Sequence, residues 1–418
     1  MTAMVRKHTP AYAITCAVFA LWGVARCLHD NMMAHIGVAF ALTTTQILWI
    51  QSISSALYIV FAVPAVVYAR AFGSKAALIL GLGSWCVGVF LFYPAVQEHV
   101  YLFFILAGFV MSCGWSFVEI SVTPIIAGMG RPERTPLRLN LAHSLFPLGI
   151  LAALYAFREL DSLALVLPES RLVRGLLQPY VLIGAGVLLF TFAIDKVPFP
   201  SFAMERGKVQ GTMQEFRDLL SRPMFRAAIA VQTACGALMA AVWTLFLWYT
   251  ADAMPGISAV AIGQMVVLTI VAFAAGRLVG TGLMLRFSAV SLLALFSSSG
   301  VVFALISAFV GGQVGVYAMI ACCFSMSILF PSNLGIALSN LGPLTRTGTA
   351  LLYIGASGTG IGTGAVMLLW HVSTIYLAML FPVGCFAVVL TFAFYQRKTV
   401  PERHAGSGVL ETARRRAT

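Results

Sequence analysis

The run VYLFFILAGFVMSCGWSFVEISVTPIIAG, from Val100 to Gly128, decides the class of this chain, because it holds one charged residue, Glu119, and no cluster of turn formers. A bilayer core of about 30 Å needs roughly 20 predominantly apolar residues per helical crossing, and this run exceeds that length. Comparable runs begin near Ala11, Leu48, Ala76, Leu139, Pro179, Met224, Val260, Ala289, Val314, Thr347 and Thr374, giving about twelve crossings. Barrel strands would instead be alternating segments of about ten residues. The composition agrees: 60% hydrophobic, 10% charged, mean hydropathy +0.94, too few charges to cover a soluble core. The expectation is an all-α membrane protein.

Short loops rich in lysine and arginine stay on the cytoplasmic side. With the N-terminus inside, that side collects Arg6 and Lys7, Arg70 and Lys75, Arg131, Arg134 and Arg138, the cluster from Lys196 to Arg226, Arg286, Arg346 and the basic tail. Arg158, Arg171 and Arg174 fall outside, while Arg26 and Arg277 lie within spans. Both termini are therefore expected in the cytoplasm. The net charge of +12 reads as a topology signal rather than a nucleic-acid surface. The first apolar run is too long for a cleaved leader and holds Arg26, His29 and Asp30, so it is expected to remain as a helix.

Against this background the acids inside spans stand out. An ionised group at the bilayer centre costs roughly 2.5 to 3.5 kcal/mol or more and persists mainly where it faces a cavity, an ion path or a partner. Asp30 in the first span and Glu119 in the fourth are thus transport-site candidates. Each has a structural alternative: Asp30 as a partner of Arg26, Glu119 as an internal hydrogen-bonding group. Arg277 is alternatively a helix-packing or gating cation. His29 and His143 are candidate proton carriers, since imidazole titrates near physiological pH.

The chain divides into two sixes. A charged connection carrying Pro198 and Pro200 separates them, giving a first half over 1–195, a linker over 196–222, a second half over 223–396 and a tail over 397–418. Arg70-Phe72-Gly73-Ser74 is echoed by Arg286-Phe287-Ser288, and the stretch from Pro124 to Asn140 parallels that from Pro331 to Arg346. The eleventh span carries Gly355, Gly358, Gly360, Gly362 and Gly364, so its backbone is expected to bend or approach a neighbour closely. Pro124, Pro331 and Pro382 are kink candidates. The eight cysteines all lie in spans, with no disulfide framework and no metal spacing.

Several stretches, in order along the chain, resemble the L-fucose–proton symporter family of the major facilitator superfamily, whose members also take glucose and galactose. They are Leu21-Trp22-Gly23 through Leu28-His29-Asp30, Glu119, Arg138-Leu139-Asn140-Leu141-Ala142, Trp243 before Met254-Pro255-Gly256, Gly276-Arg277 with Gly280-Thr281, Ile306-Ser307-Ala308-Phe309 with Gly311-Gly312, and Asn340-Leu341-Gly342. The resemblance implies two six-helix halves rocking about a midplane solute site, and a carrier that works as a monomer in the inner membrane. It also implies that Asp30 and Glu119 are the paired acids of proton coupling and sugar binding, that Asn140 and Arg277 line the cavity, and that Trp243 offers an aromatic surface to a sugar ring.

Departures from the family pattern fall at the site. Arg26, Cys27 and His29 replace an asparagine-rich stretch before Asp30, and Arg26 lies four residues from that acid on one helix face. The glutamine expected after Leu141-Ala142 is His143, and a basic seventh-span position is Trp248. The sequence therefore predicts proton-coupled uptake of a neutral monosaccharide by alternating access, with Asp30, Glu119 and His29 in coupling and Glu119, Asn140, His143, Trp243, Arg277 and Arg26 toward the sugar. No metal, cofactor or nucleic acid is expected, only sugar, proton and lipid. An uncoupled facilitator or an exporter is the alternative within transport. A membrane-bound enzyme or sensor lacks a visible nucleophile–base pair or a soluble domain.

Overall fold

The computed structural model describes residues 3–39, 60–97, 101–164, 169–199 and 212–399, with side chains over 9–27, 60–92, 94, 102–156, 183–199 and 213–399. Regular structure among the described residues is entirely helical. In the first half these helices are α1 (Ala3–Ala39), α2 (Val60–Phe72), α3 (Ser74–Gln97), α4 (Tyr101–Gly128), α5 (Thr135–His143), α6 (Leu145–Ala164) and α7 (Glu169–Lys196). A short α8 (Thr212–Ser221) follows in the linker. The second half holds α9 (Pro223–Ala253), α10 (Ala259–Leu283), α11 (Ala289–Phe309), α12 (Gly312–Met326), α13 (Leu329–Leu338), α14 (Thr345–Ala356), α15 (Thr359–Val372), α16 (Ile375–Ala378) and α17 (Leu380–Thr399). Ten stretches among the described residues are long and apolar enough to cross a bilayer. The second and sixth expected crossings are represented by α2 and α7.

Lipid is as apolar as leucine, so these helices associate through close packing and internal hydrogen bonds rather than through expulsion of water. The α3–α4 pair shows how. A Cβ on Gly81 would lie 2.7 Å from the Gly114 carbonyl oxygen, and one on Gly114 would lie 2.5 Å from the Gly81 oxygen, so the two backbones touch where neither residue has a side chain. The glycine-rich eleventh crossing behaves likewise. It breaks at Ser357–Gly358 between α14 and α15, and Gly358 and Gly362 press against the backbone of α9 at Thr233 and Ala237.

Local sequence explains the ends. Ser258 and Ser288 accept backbone N–H bonds from Ala261 (3.2 Å) and Ser291 (3.1 Å), capping α10 and α11. The turn between α11 and α12 uses Gly311 and Gly312 at φ +64° and +56°, a region that L side chains rarely adopt. Two further crossings are interrupted near mid-length: the fifth at Ser144, between α5 and α6, and the tenth at Ser327–Ile328, ahead of Pro331, between α12 and α13.

The two halves meet most closely at the end of the bundle that carries α8, the linker end. There α5 packs on α13 and α4 on α14. Ser339 donates to the Pro132 carbonyl at 3.2 Å. The residue α13 places against α5 is Gly335, where any Cβ would strike the Pro136 backbone, 2.7 Å from its nitrogen. The linker helix buries Phe216 and Leu219 and turns Gln214 and Arg217 outward. Its buried acid, Glu215, accepts from Arg70 at the end of α2 and from Thr347 of α14, joining both halves to the linker.

Candidate functional site

Apolar expulsion leaves few ionisable groups deep in the bundle, and four of the residues singled out by sequence are buried there: Glu119 on α4 (5% exposed), Asn140 and His143 on α5 (0% and 3%) and Arg277 on α10 (2%). They sit on three helices, and three of them are held at the seam between the halves by direct contacts.

Arg277 makes the first link. Its Nε donates to the Ser327 carbonyl at 2.7 Å and its NH1 to the His143 carbonyl at 3.0 Å. These carbonyls belong to the interrupted tenth and fifth crossings, at the C-terminal ends of α12 and α5, where helix dipoles present partial negative charge. A guanidinium fork suits two separate acceptors better than an ammonium does. The guanidinium also stands 4.4 Å over the Phe273 ring, which lies 5.3 Å from the Trp243 ring. The described contacts of Arg277 are helix-packing ones, to two backbone carbonyls and a ring.

Asn140 makes the second link. Its Nδ2 donates to the Pro136 carbonyl at 2.9 Å and across the seam to Ser332 Oγ on α13 at 3.1 Å, while its Oδ1 has no partner among the described residues. His143 Nε2 is likewise buried and unpartnered among the described residues, with its ring 4.3 Å from Phe19 and 6.0 Å from Phe330. A buried polar atom without a partner is costly unless a ligand or water meets it. Trp243 is half-buried on α9, and its Nε1 makes no regular hydrogen bond, with the Cys323 thiol nearby.

Glu119 faces the same seam one helix over. Four residues further along α4, Thr123 shares a 3.0 Å hydrogen bond with the Tyr353 hydroxyl of α14, and Tyr353 lies within electrostatic reach of Glu119. The Tyr353 ring is 6.0 Å from Phe330, which connects it to His143. Beside this group, the Trp22 ring lies 4.5 Å from Trp115 and 4.2 Å from Phe146, a cluster of mutually tilted rings in the first half. Arg26 is exposed on α1. His29 and Asp30 fall within α1, and their side chains lie outside those described. Trp248 is 56% exposed and sits by Trp370 at 5.6 Å, away from these contacts.

Sequence reading missed Ser332, Phe330, Thr123 and Tyr353, each an ordinary residue of an apolar run whose role appears only across the seam. It also missed Gln232 and Asn333, fully buried between α9 and α13, where Asn333 Nδ2 donates to Gln232 Oε1 at 2.6 Å. Two amides in apolar spans were the available signal. Two open apolar grooves, of about 420 and 360 Å³, lie elsewhere: one over Val63, Val67 and Phe117, the other over Ala227, Val388 and Phe392.

The sequence matches the Major Facilitator Superfamily profile over residues 13–364. It is 30% identical to the L-fucose-proton symporter of Escherichia coli (strain K12), with 94% of each chain covered. To the glucose/galactose transporter of Brucella abortus (strain 2308) it is 27% identical, over 90% of this chain and 91% of that one. Its fold superposes on a crystal structure of the E. coli fucose:proton symporter with a TM-score of 0.84 at 27% identity, covering 93% of this chain and 99% of that one. A second structure of the fucose transporter, in the outward conformation, gives 0.83 at 29% identity, covering 92% and 98%. The chain belongs to the Major Facilitator Superfamily, and within it to the family of the L-fucose-proton symporter.

Proposed function

We propose that this protein is a secondary active transporter that brings a neutral monosaccharide of the fucose, galactose or glucose kind inward together with a proton, by alternating access. The observation that carries this reading is Glu119: a carboxyl group kept deep in a bundle that has shed nearly every other charge, at the seam where the halves must part and rejoin. A carboxyl group in low dielectric gains and loses a proton near neutral pH more readily than one in water. If its two protonation states favour different orientations of the halves, proton and solute movement are linked. The names of the relatives support sugar and proton as the cargo.

Within this reading Asp30 and Glu119 carry the coupling, with His29 beside Asp30. Asn140 Oδ1 and His143 Nε2 offer an acceptor and a second polar atom to sugar hydroxyls, and Trp243 offers a ring face. Arg277 holds the cavity wall rather than the sugar, and Arg26 biases Asp30 toward its ionised form. The linker end is then cytoplasmic, with both termini inside and the protein in the inner membrane; the lysine and arginine distribution supports that orientation. Closure at that end corresponds to an outward-facing state.

Uptake of labelled L-fucose, D-galactose and D-glucose into proteoliposomes, with and without an inward pH gradient, tests the reading. At least one sugar is expected to accumulate with the gradient, and Glu119→Gln is expected to abolish that dependence. Uptake that only equilibrates, is indifferent to the gradient and is unchanged in Glu119→Gln would leave an uncoupled facilitator, the outcome that Arg26 four residues before Asp30 favours.

A further inference from the structure

One helical turn beyond Glu119, toward the linker end, the halves are tied by a pair of hydroxyls. Thr123 Oγ1 on α4 and the Tyr353 hydroxyl on α14 stand 3.0 Å apart in a buried contact. Thr123 follows Glu119 by four residues, so both occupy one face of α4. Tyr353 is 1% exposed, and among the described residues Glu119 is the charged group that acts on it electrostatically. The other titratable groups nearby are His143 on α5, two rings away through Phe330, and Arg277 on α10, bonded to the His143 carbonyl. The α9 and α13 helices bring the neutral amides Gln232 and Asn333. The side chain of Asp30 on α1 lies outside those described.

We propose that the Tyr353 hydroxyl is a positioning group through which the charge state of Glu119 sets how firmly the linker end is shut, a role that rests on the proton-coupled reading above. With Glu119 ionised, its field turns the phenolic proton toward the carboxylate, and the Tyr353 oxygen is left to accept from the Thr123 hydroxyl. A hydrogen bond polarised by a nearby charge in low dielectric is stronger than a neutral one. Protonation of Glu119 removes the field, the hydroxyl pair becomes an ordinary neutral bond, and the seam parts more easily. The sign suits symport, because the protonated, loaded carrier is the one that must open toward the linker end.

Tyr353→Phe keeps the ring and deletes the hydroxyl, and Thr123→Val deletes its partner. The test compares pH-gradient-driven accumulation with sugar exchange at equal concentrations on both sides, using whichever of L-fucose, D-galactose or D-glucose the wild type accumulates. In both variants accumulation is expected to fall by about fivefold, the scale of one net hydrogen bond. Exchange and the sugar-induced thermal shift should stay near wild type, and the pH profile of uptake should flatten. The double variant should add nothing to either single one. Wild-type accumulation and pH profile in Tyr353→Phe overturn the proposal. So does an equal fall of accumulation and exchange with an unchanged pH profile, which marks a packing residue. A wild type that accumulates no sugar, or does so without regard to the gradient, removes the proton-coupled reading and this inference with it, before any variant is compared.

Discussion

Arg277 on α10 and His143 on α5 are joined through the backbone rather than through their side chains: the guanidinium donates to the His143 carbonyl at 3.0 Å while also holding the Ser327 carbonyl at 2.7 Å. One cation thereby fastens the interrupted fifth crossing of the first half to the interrupted tenth crossing of the second. Lysine preserves the charge and loses the fork. Arg277→Lys is therefore expected to leave at least one buried acceptor without its donor, costing about 1 to 3 kcal/mol of stability. The melting temperature in detergent should fall and sugar uptake should drop by about tenfold, with Arg277→Met lower still. Unchanged melting and uptake in Arg277→Lys would show that a point charge suffices and that the two-carbonyl hold is incidental.

Asn140 has only one of its two side-chain polar atoms bonded among the described residues. Its Nδ2 is engaged by Pro136 and Ser332, while Oδ1 has no partner among the described residues. Ser332→Ala is expected to remove the seam contact alone, lowering stability by about 1 kcal/mol and leaving the sugar-induced thermal shift intact. Asn140→Ala should lose both stability and the sugar-induced shift. In a double-mutant cycle the stability terms should couple by about 0.5 to 1.5 kcal/mol, because both variants delete the same hydrogen bond. A sugar-induced shift lost equally in both single variants would place Ser332 in the sugar contact set as well.

The fold was readable because the bilayer imposes one requirement everywhere: each crossing must satisfy its own backbone, so every span is a long apolar run with its charges pushed to the ends. Arg70, Lys75, Arg138 and Arg346 mark such ends without any knowledge of packing. The candidate site was legible for the same reason in reverse, since Glu119 and Arg277 are conspicuous where charge is costly. What pattern alone cannot carry is pairing across the seam. Tyr353 is one aromatic among many, and Ser332 one small residue among many, until α14 meets α4 and α13 meets α5. The interruptions at Ser144 and Ser327 also escape a hydropathy reading, because α5–α6 and α12–α13 are continuous apolar runs in sequence. Pro331 hinted at the second, and Pro147, three residues after Ser144, is the matching signal at the first.

Glu215 on the linker helix accepts from Arg70 and from Thr347, so a single carboxylate draws α2, α8 and α14 together. Both side chains of the ion pair are about nine-tenths buried. Removing one member of such a pair leaves the other charge buried without compensation, at a cost of about 3 kcal/mol or more. Glu215→Gln is expected to open the linker end, seen as faster maleimide labelling of a cysteine placed at Ser339, which lies across the seam from Pro132. Thr347→Val, which deletes a neutral donor to Glu215 and an acceptor for Arg70 while leaving the ion pair, should give the same change with a smaller energetic effect. Equal labelling rates in Glu215→Gln and its parent would remove the linker helix from the closure.

Gly335 separates the close approach of the halves from helix stiffness. Any Cβ there meets the Pro136 backbone, which cannot move aside as a flexible side chain would, whereas a Cβ at Gly360 on α15 meets nothing within 4 Å. Both residues are helical with unremarkable φ, so Gly→Ala should favour the helix by about 0.5 to 1 kcal/mol at either position if space were not limiting. Gly360→Ala is expected to transport normally and to melt at or slightly above the wild-type temperature. Gly335→Ala should hold the linker end ajar, with faster labelling at Ser339→Cys, a lower melting temperature and uptake reduced by about tenfold, as overpacking at a rigid contact costs about 1 to 3 kcal/mol. If Gly335→Ala instead behaves like Gly360→Ala, with normal uptake and slow labelling, then α5 and α13 do not form the closure that the carrier makes and breaks.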